Sequence, residues 1–283
     1  MAVLLQYLLP KQAITQIAGK LANYQGGFLT TSVITWFAKR YQVNMTEAVN
    51  PDITSYKTFN DFFTRPLKSG ARPIAQADFI CPVDGAVSQF GEIKKDQIFQ
   101  AKGHSYSTLA LLGGNKSLAK KFENGYFSCL YLSPKDYHRI HMPCKGTLKS
   151  MTYIPGSLFS VNPTTAQGIP GLFAKNERVV CEFNSKQHGD FIIVLVGATI
   201  VGSMATVWHD AANGIINPPR TGKPKTWNYN QSILKFEQGE EIGRFLLGST
   251  VVMLFEKGSL QFNPKWSPAS VIKLGEVMGN KQL

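Results

Sequence analysis

The residue types best suited to covalent chemistry lie near the C-terminus, in the run RFLLGSTVVMLFE at 244–256. Two apolar stretches flank Gly248 and Ser249 there. A glycine before a serine permits unusual backbone angles and leaves its own carbonyl sterically open. The Ser249 hydroxyl is therefore suited to attack the Gly248 carbonyl, although Gly-Ser is also an ordinary turn dipeptide. Four residues alone leave both interpretations open.

A second cluster, SPKDYHRIHMP at 133–143, contains His138 and His141. Pro134 and Pro143 favour a short turn or loop over a helix. Paired histidines can ligate a metal, but no HExxH pattern or third ligand lies nearby, so we expect no metal site. Imidazole titrates near neutral pH, which suits these residues to proton transfer.

A third segment, CPVDGAVSQFG at 81–91, places Asp84 before Gly85 between two strand-like runs. Asp-Gly is a common hairpin dipeptide, so a turn is one interpretation. The other is a buried carboxylate that orients a histidine. Asp84, His141 and Ser249 would then form a catalytic triad, which is defined by its geometry and not by its order along the chain.

The elements that must position these residues change character near residue 75. Before it, apolar residues such as Ile14 and Leu21 recur at helical spacing. After it, short apolar or alternating runs are separated by Gly and Pro, which is typical of strands and turns. The sequence therefore predicts an α+β fold, with an N-terminal helical layer (1–58) followed by a largely antiparallel β body (59–283).

Composition and charge limit the function classes. The chain has 283 residues, of which 43% are hydrophobic and 17% charged, which excludes collagen-like and disordered classes. Four sparse cysteines and no CxxC pair indicate a reducing compartment. The net charge of +12 comes mainly from lysine, which suits diffuse attraction to an anionic membrane or to nucleic acid.

Neither of two uncharged stretches has the pattern of a membrane span. Residues 21–38 contain too many polar side chains, and residues 191–208 are β-branched and interrupted by Gly197 and Gly202, which predicts two buried strands. The N-terminus lacks the basic region and cleavage site of a signal peptide, so we expect no export. Trp36 and its basic neighbours instead predict an interfacial surface on the first helices.

Seven motifs together resemble the bacterial-type phosphatidylserine decarboxylases, which are pyruvoyl-dependent enzymes. The likeness covers nearly the whole chain after the N-terminal helices, and its Leu-Gly-Ser-Thr motif is highly specific. The motifs, in family order, are FNDFFTRPLKSGARP (59–73), CPVDGAVSQFG (81–91), QAKGHSYSTLALLGG (100–114), DYHRIHMP (136–143), SLFSVNPTTAQGIPGLFAKNERVV (157–180), VGATIVGSMATVW (196–208) and GRFLLGSTVVMLFE (243–256).

The resemblance implies a proenzyme that cuts itself. Ser249 would attack the Gly248 carbonyl, and elimination from the resulting ester would divide the chain into residues 1–248 and 249–283. Loss of ammonia would leave a covalent pyruvoyl group derived from Ser249 as the cofactor, with no metal and no pyridoxal phosphate. This ketone would form a Schiff base with phosphatidylserine and accept the electrons released as CO2 departs, which yields phosphatidylethanolamine.

The resemblance also implies roles for three ionisable residues. Asp84 and His141 match the charge relay that activates the serine in the family. His138 matches the family histidine of the decarboxylation step, where it would donate a proton or position the substrate.

The partners implied by the resemblance are phosphatidylserine and an anionic membrane surface, without nucleic acid. The two cleaved chains would stay associated, and a homodimer is compatible with the likeness. We expect a peripheral protein on the cytoplasmic face of the bacterial inner membrane, docked through residues 1–58. Basic residues near such a surface contribute about 1 kcal/mol each.

Three alternatives remain open at this point. A Ser-His-Asp lipid hydrolase would keep Ser249 intact, although no G-x-S-x-G elbow surrounds this serine. A non-catalytic basic β-domain would bind anionic membrane or RNA and would not need Ser249. A relative in the same pyruvoyl group would act on another lipid with an amino headgroup.

Overall fold

The longer helices come first along the chain, as the sequence predicts, and strands with short helices between them follow. The computed structural model describes residue 6 and residues 10–101, 103–199, 204–209, 215–216, 222–229, 234–246 and 249–282. The helices are α1 (Lys11–Ala22), α2 (Phe28–Tyr41), a 3-10 turn (Ile53–Ser55), α3 (Phe59–Phe63), α4 (Thr108–Leu111), α5 (Lys116–Lys121), α6 (Pro163–Gly168) and α7 (Leu172–Lys175).

The strands extend from residue 79 almost to the C-terminus. They are β1 (Phe79–Ile80), β2 (Gly85–Glu92), β3 (Gln97–Ala101), β4 (His104–Ser107), β5 (Tyr126–Leu132), β6 (Arg139–His141), β7 (Gly146–Ile154), β8 (Arg178–Ser185), β9 (Gly189–Val196), β10 (Met204–Thr206), β11 (Ile215–Ile216), β12 (Lys225–Asn228), β13 (Lys235–Phe236), β14 (Glu241–Phe245), β15 (Ser249–Phe255), β16 (Gln261–Phe262), β17 (Val271–Ile272) and β18 (Val277–Asn280).

The short helix α3 has a defined N-terminal cap and packs against α2. Thr58 and Asp61 form a capping box, in which each side chain accepts from the other residue's backbone amide, at 3.0 and 3.2 Å. Such reciprocal caps satisfy amides that a helix leaves unpaired at its start. Phe62 and Phe63, at the end of α3, pack against Ile34 of α2 in a small core of their own.

The strands form one large sheet and three smaller ones, and the strand pairs described within them are antiparallel. The large sheet has the order β12-β7-β8-β9-β15-β5-β2-β17, with β13 also paired to β7. The smaller sheets are β11-β10-β14-β6, β1-β18-β16 and the hairpin β3-β4. The predicted fold class, helices followed by a largely antiparallel β body, is confirmed.

The core lies on both faces of the large sheet. Val251, Met253 and Phe255 of β15 point to the face covered by the three-stranded and four-stranded sheets, whereas Val252 and Leu254 point to the face covered by the short helices and the β3-β4 hairpin. A strand buried on both faces has a continuous apolar sequence, which explains why the second half of the 244–256 run has no alternation.

The prediction that residues 191–208 form two buried strands is confirmed for those that the structure describes. Its first half forms β9 and its second half includes β10. None of the described helices combines the length and the apolar character that crossing a bilayer requires.

Candidate active site

The site begins at Ser249, the first residue of β15. Its backbone pairs with Leu132 at the end of the neighbouring strand β5. The side chain is fully buried, and its hydroxyl has no hydrogen-bond partner among the residues that the structure describes. An unpaired buried hydroxyl costs about 1–3 kcal/mol, so stability does not explain its presence. Gly248 lies outside the described residues.

His138 lies in the loop between β5 and β6 and is fully buried. Its ring centre is 4.0 Å from that of Phe63, and its Nδ1 is 2.8 Å from the Asp136 carbonyl oxygen. Because a carbonyl only accepts, Nδ1 carries the hydrogen and Nε2 keeps a lone pair. Burial lowers the pKa of His138 to about 3. The neutral ring therefore offers an acceptor, Nε2, which has no partner within the described ranges.

The His138 loop is tied to the segment that leads into Ser249. The amide of Phe245, at the end of β14, donates to the His138 carbonyl oxygen at 3.0 Å. Only residues 246–248 separate Phe245 from Ser249. At its other end the loop begins after Leu132, which is the strand partner of Ser249. Two separate backbone contacts therefore link the loop that carries His138 to Ser249 and to the strand before it.

His141 ends β6 and is opposite Glu241 on β14. Its Nδ1 is 2.7 Å from the Gly239 carbonyl oxygen, and its Nε2 is 3.1 Å from the Tyr137 hydroxyl. The carbonyl again fixes the hydrogen on Nδ1, so Tyr137 donates to Nε2. Burial lowers the pKa of His141, which makes the ring neutral near pH 7. A neutral imidazole of this tautomer is basic at Nε2.

Tyr137 is a residue of the site that the motif analysis missed. It is 6% exposed, and burial raises the pKa of its phenol. Its hydroxyl therefore stays protonated and remains a donor to His141. The only signal in the sequence is its place between Asp136 and His138, where a tyrosine is equally well explained as a core residue.

Asp84 binds Arg72 and not His141. Arg72 Nε lies 2.9 and 3.1 Å from the two carboxylate oxygens and Nη2 lies 2.5 Å from Oδ2. The Leu274 amide donates to Oδ1 at 2.9 Å. The hydrogen bonds described for Asp84 and for His141 include none that joins them. The Asp84 charge raises the pKa of His141 through space, but burial has the larger, opposite effect.

The hairpin interpretation of Asp84-Gly85 is wrong, because β1 and β2 pair with other strands, β1 with β18 and β2 with β5 and β17. Gly85 opposes β5 so closely that a Cβ there would collide with the Tyr131 carbonyl oxygen. Since β5 lies between β2 and β15, and neighbouring strands are about 4.8 Å apart, β2, which begins directly after Asp84, runs about 10 Å from β15 across the sheet.

The fold and this site define an α+β enzyme with a buried serine at the start of a central strand, one fully buried histidine and a second, partly buried histidine. A family model described as phosphatidylserine decarboxylase matches residues 59–280, and a model described as PSD matches residues 1–42.

Two similar proteins, both named phosphatidylserine decarboxylase proenzyme, match along nearly their whole length. The one from Dechloromonas aromatica (strain RCB) is 67% identical over 280 residues, which cover 99% of this chain and 98% of that protein. The one from Albidiferax ferrireducens (strain ATCC BAA-621 / DSM 15236 / T118) is 64% identical over 281 residues, with 99% and 97% covered.

The chain belongs to the phosphatidylserine decarboxylase family. Its activity is that of a carboxy-lyase of phospholipid biosynthesis, made as a zymogen. The family that seven motifs predicted is thus confirmed. Membership decides against the lipid hydrolase and against the non-catalytic β-domain.

Proposed function

We propose that Gly248 and Ser249 form the self-cleavage site and that the cut leaves a pyruvoyl group at position 249. The observation that supports this is a buried hydroxyl at the first position of a central strand that has no hydrogen-bond partner among the described residues. Ser249 Oγ attacks the Gly248 carbonyl carbon and converts the peptide bond into an ester. Loss of the Ser249 Cα proton then expels residues 1–248 as a carboxylate that keeps the serine oxygen. Hydrolysis of the remaining dehydroalanine releases ammonia.

Intact-mass analysis under denaturing conditions tests this proposal directly. We expect two chains, residues 1–248 and 249–283, the smaller one lighter by one ammonia than a chain that begins with serine. A single full-length mass from protein that decarboxylates phosphatidylserine would contradict the proposal.

The two products remain together in this proposal because the small chain contributes strands to two sheets. β15 lies between β5 and β9 and forms ladders with both. β17 pairs with β2, and β18 pairs with β1. The hydrogen bond from the Leu274 amide to Asp84 also joins the small chain to the large one.

When present, a pyruvoyl carbonyl supplies an electron sink for decarboxylation of an amine-bearing substrate. The residues around position 249 fit such a group. Converting Ser249 into a ketone removes a hydroxyl that has no hydrogen-bond partner among the described residues, and the His138 Nε2 lone pair has no other partner there. We assign His138 to this step. Since its neutral ring presents an acceptor, Nε2 would take the proton that the ammonium group of the substrate loses and would give it to the substrate carbon from which CO2 departs.

We assign His141 to self-cleavage as the general base. The Gly239 carbonyl holds the hydrogen on Nδ1, so the lone pair is on Nε2, where the Ser249 hydroxyl would replace Tyr137 as the donor before its proton is transferred. Tyr137 is a positioning residue, because its hydroxyl holds Nε2 in place. Asp84 contributes its charge to this pair of residues while Arg72 holds its carboxylate.

His141→Ala should slow self-cleavage by about 10²–10⁴-fold, the usual contribution of a general base. The appearance of the two products on denaturing gels, timed from synthesis, measures this rate. In the unmodified chain the rate should stay level as the pH falls to 6.5 and decline only below it, because the neutral ring is active and burial holds its pKa below that value.

Two variants control this experiment. Tyr137→Phe keeps the ring and removes only the hydroxyl, so we expect a smaller loss than for His141→Ala. His104→Ala changes a histidine on the β3-β4 hairpin and should cut at the unmodified rate. Normal processing of His141→Ala would remove His141 from the base role.

We infer that α1 and α2 dock on an anionic lipid surface. Lys11, Lys20, Lys39 and Arg40 lie on the same two helices, and the net charge of +12 is complementary to such a surface. Exposed apolar side chains beside cations are typical of membrane-binding helices. On α1, on α2 and in the turn between them, the apolar side chains that are more than half exposed are Ile17, Leu21, Tyr24, Phe28, Leu29, Val33 and Trp36.

The triple variant Phe28→Ser, Leu29→Ser, Trp36→Ser should weaken binding to phosphatidylserine-containing vesicles by at least about tenfold, since each large apolar side chain is worth about 1.5–3 kcal/mol when fully buried. The three side chains are 62–82% exposed, so the fold should not suffer. Co-sedimentation measures the binding. Phe99→Ser with Val207→Ser, exposed apolar residues outside α1 and α2, is the matched control. Unchanged co-sedimentation of the triple variant would place the docking surface elsewhere.

A further inference from the structure

Arg65 follows α3 and is a buried cation that forms no ion pair with any carboxylate of the described residues. The residue is 3% exposed. Its Nη2 donates to the Lys135 carbonyl oxygen at 3.2 Å, while Nε and Nη1 have no hydrogen-bond partner in the part of the chain that the structure describes. Burial lowers the pKa of the guanidinium, but arginine remains charged at neutral pH. A buried charge without a counter-charge is costly, so this residue indicates a missing anion.

The carboxylates near Arg65 are bound to other groups. Asp84 and Glu47 share Arg72, whose Nη2 lies 2.5 Å from the first and 2.7 Å from the second. Glu47 also faces Lys273 at 3.7 Å. Both carboxylates therefore act on Arg65 only through space.

Arg65 lines a cleft of about 230 Å³, which we call the Arg65 cleft. Asp136, the third carboxylate of its wall, accepts from the amide and the hydroxyl of Ser133, both at 2.7 Å. The wall of the cleft has four cationic side chains and three carboxylates, so its net charge is positive. The cations of the wall are Arg65, Arg72, Lys135 and Lys273.

The Arg65 cleft opens next to the docking helices. Gln42, which caps the C-terminal end of α2, and Asn44 line it. Trp36, one of the exposed apolar residues of α2, precedes Gln42 by six positions, about 9 Å along a helix axis. A headgroup in a membrane that contacts Trp36 is therefore within reach of the cleft.

We propose that the Arg65 cleft binds the phosphodiester of an anionic membrane lipid. The proposal rests on the membrane docking proposed above. Phosphate oxygens form strong, charge-assisted hydrogen bonds with guanidinium and ammonium groups, and one phosphodiester would provide the counter-charge that Arg65 lacks. The described wall includes Asp84 and Tyr137 but not Ser249, so the cleft is a holding site beside the reacting centre. Because substrate and product share the phosphodiester, the cleft stays occupied through the reaction.

Titration calorimetry with dihexanoyl phosphatidylglycerol, below the concentration at which it forms micelles, tests the proposal on the full-length protein. This lipid has the phosphodiester but no amine, so binding does not depend on decarboxylation. Lys135→Gln with Lys273→Gln should weaken binding by at least about tenfold. Lys116→Gln with Lys120→Gln, which removes the same charge from exposed positions of α5, should change it by less than about twofold.

Three outcomes would overturn the proposal. They are equal losses in the two double variants, no loss in the cleft variant, and inorganic phosphate that binds as tightly as the lipid. Arg65→Met should also lose phosphatidylglycerol binding, provided that its melting curve shows a folded protein. If Arg65→Met does not fold, Lys135→Gln with Lys273→Gln alone tests the proposal. Turnover of phosphatidylserine by the same preparations separates this proposal from the proposed function: turnover without phosphatidylglycerol binding contradicts only the Arg65 cleft.

Discussion

A chain with Ser249→Ala should stay a single polypeptide of 283 residues and should form no phosphatidylethanolamine. Alanine has no oxygen to attack the Gly248 carbonyl, and none that could leave with the large chain afterwards. Without the cut no ketone forms at position 249, so the loss of turnover should be complete and not partial. Intact mass and release of CO2 from phosphatidylserine measure the two effects on the same preparation.

The substitution should leave the fold intact, which makes its result easy to interpret. The Ser249 hydroxyl has no hydrogen-bond partner in the described structure, so alanine breaks no bond. Thr250, one position along β15, is the matched control, because it is also fully buried and its hydroxyl has no hydrogen-bond partner among the described residues. Thr250→Val should be cut normally. If the Ser249→Ala chain is cut, the scissile bond is not the one between Gly248 and Ser249. If the Thr250→Val chain is not cut, any substitution in this strand prevents cleavage, and the loss in Ser249→Ala is not specific to the serine oxygen.

The parts of the fold that were predictable have local causes. The spacing of Ile14 and Leu21 predicts α1, and the apolar run after Ser249 predicts a strand buried on both faces. The order of strands has no such signal. β15 lies between β5 and β9 because all three carry apolar side chains on both faces, and several strands in this sequence share that property.

For the site, residue types were predictable but the partners of the side chains were not. The motif at 136–143 identifies both histidines, yet the carbonyl that orients His141 belongs to Gly239, 98 positions away. Asp84 was expected to orient His141, but Arg72, in the motif at 59–73 to which no catalytic role was assigned, holds its carboxylate. Such contacts depend on how distant segments pack, and a guanidinium that can reach a carboxylate in two places outcompetes a single imidazole.

His138→Ala should separate the two reactions, since we expect normal self-cleavage and a decarboxylation rate lower by about 10²–10⁴-fold. The substitution removes Nε2, the buried acceptor that we assign to proton transfer. It leaves untouched the hydrogen bonds of His141 to Gly239 and Tyr137, which we assign to the cut. Intact mass measures the cut, and phosphatidylethanolamine formed from vesicles measures turnover per cleaved chain.

Packing and chemistry must be distinguished at this position, because His138 is fully buried against Phe63 and alanine leaves a cavity there. His138→Gln fills most of that volume but has no imidazole. If packing caused the loss, glutamine would restore turnover, whereas both variants stay slow if Nε2 transfers the proton. If the His138→Gln chain is not cut, the assignments of His138 to decarboxylation and of His141 to self-cleavage must be exchanged. We expect the cut to survive, because the contact that ties this loop to the segment before Ser249 is made by the His138 backbone carbonyl and Phe245, and no side-chain replacement removes it.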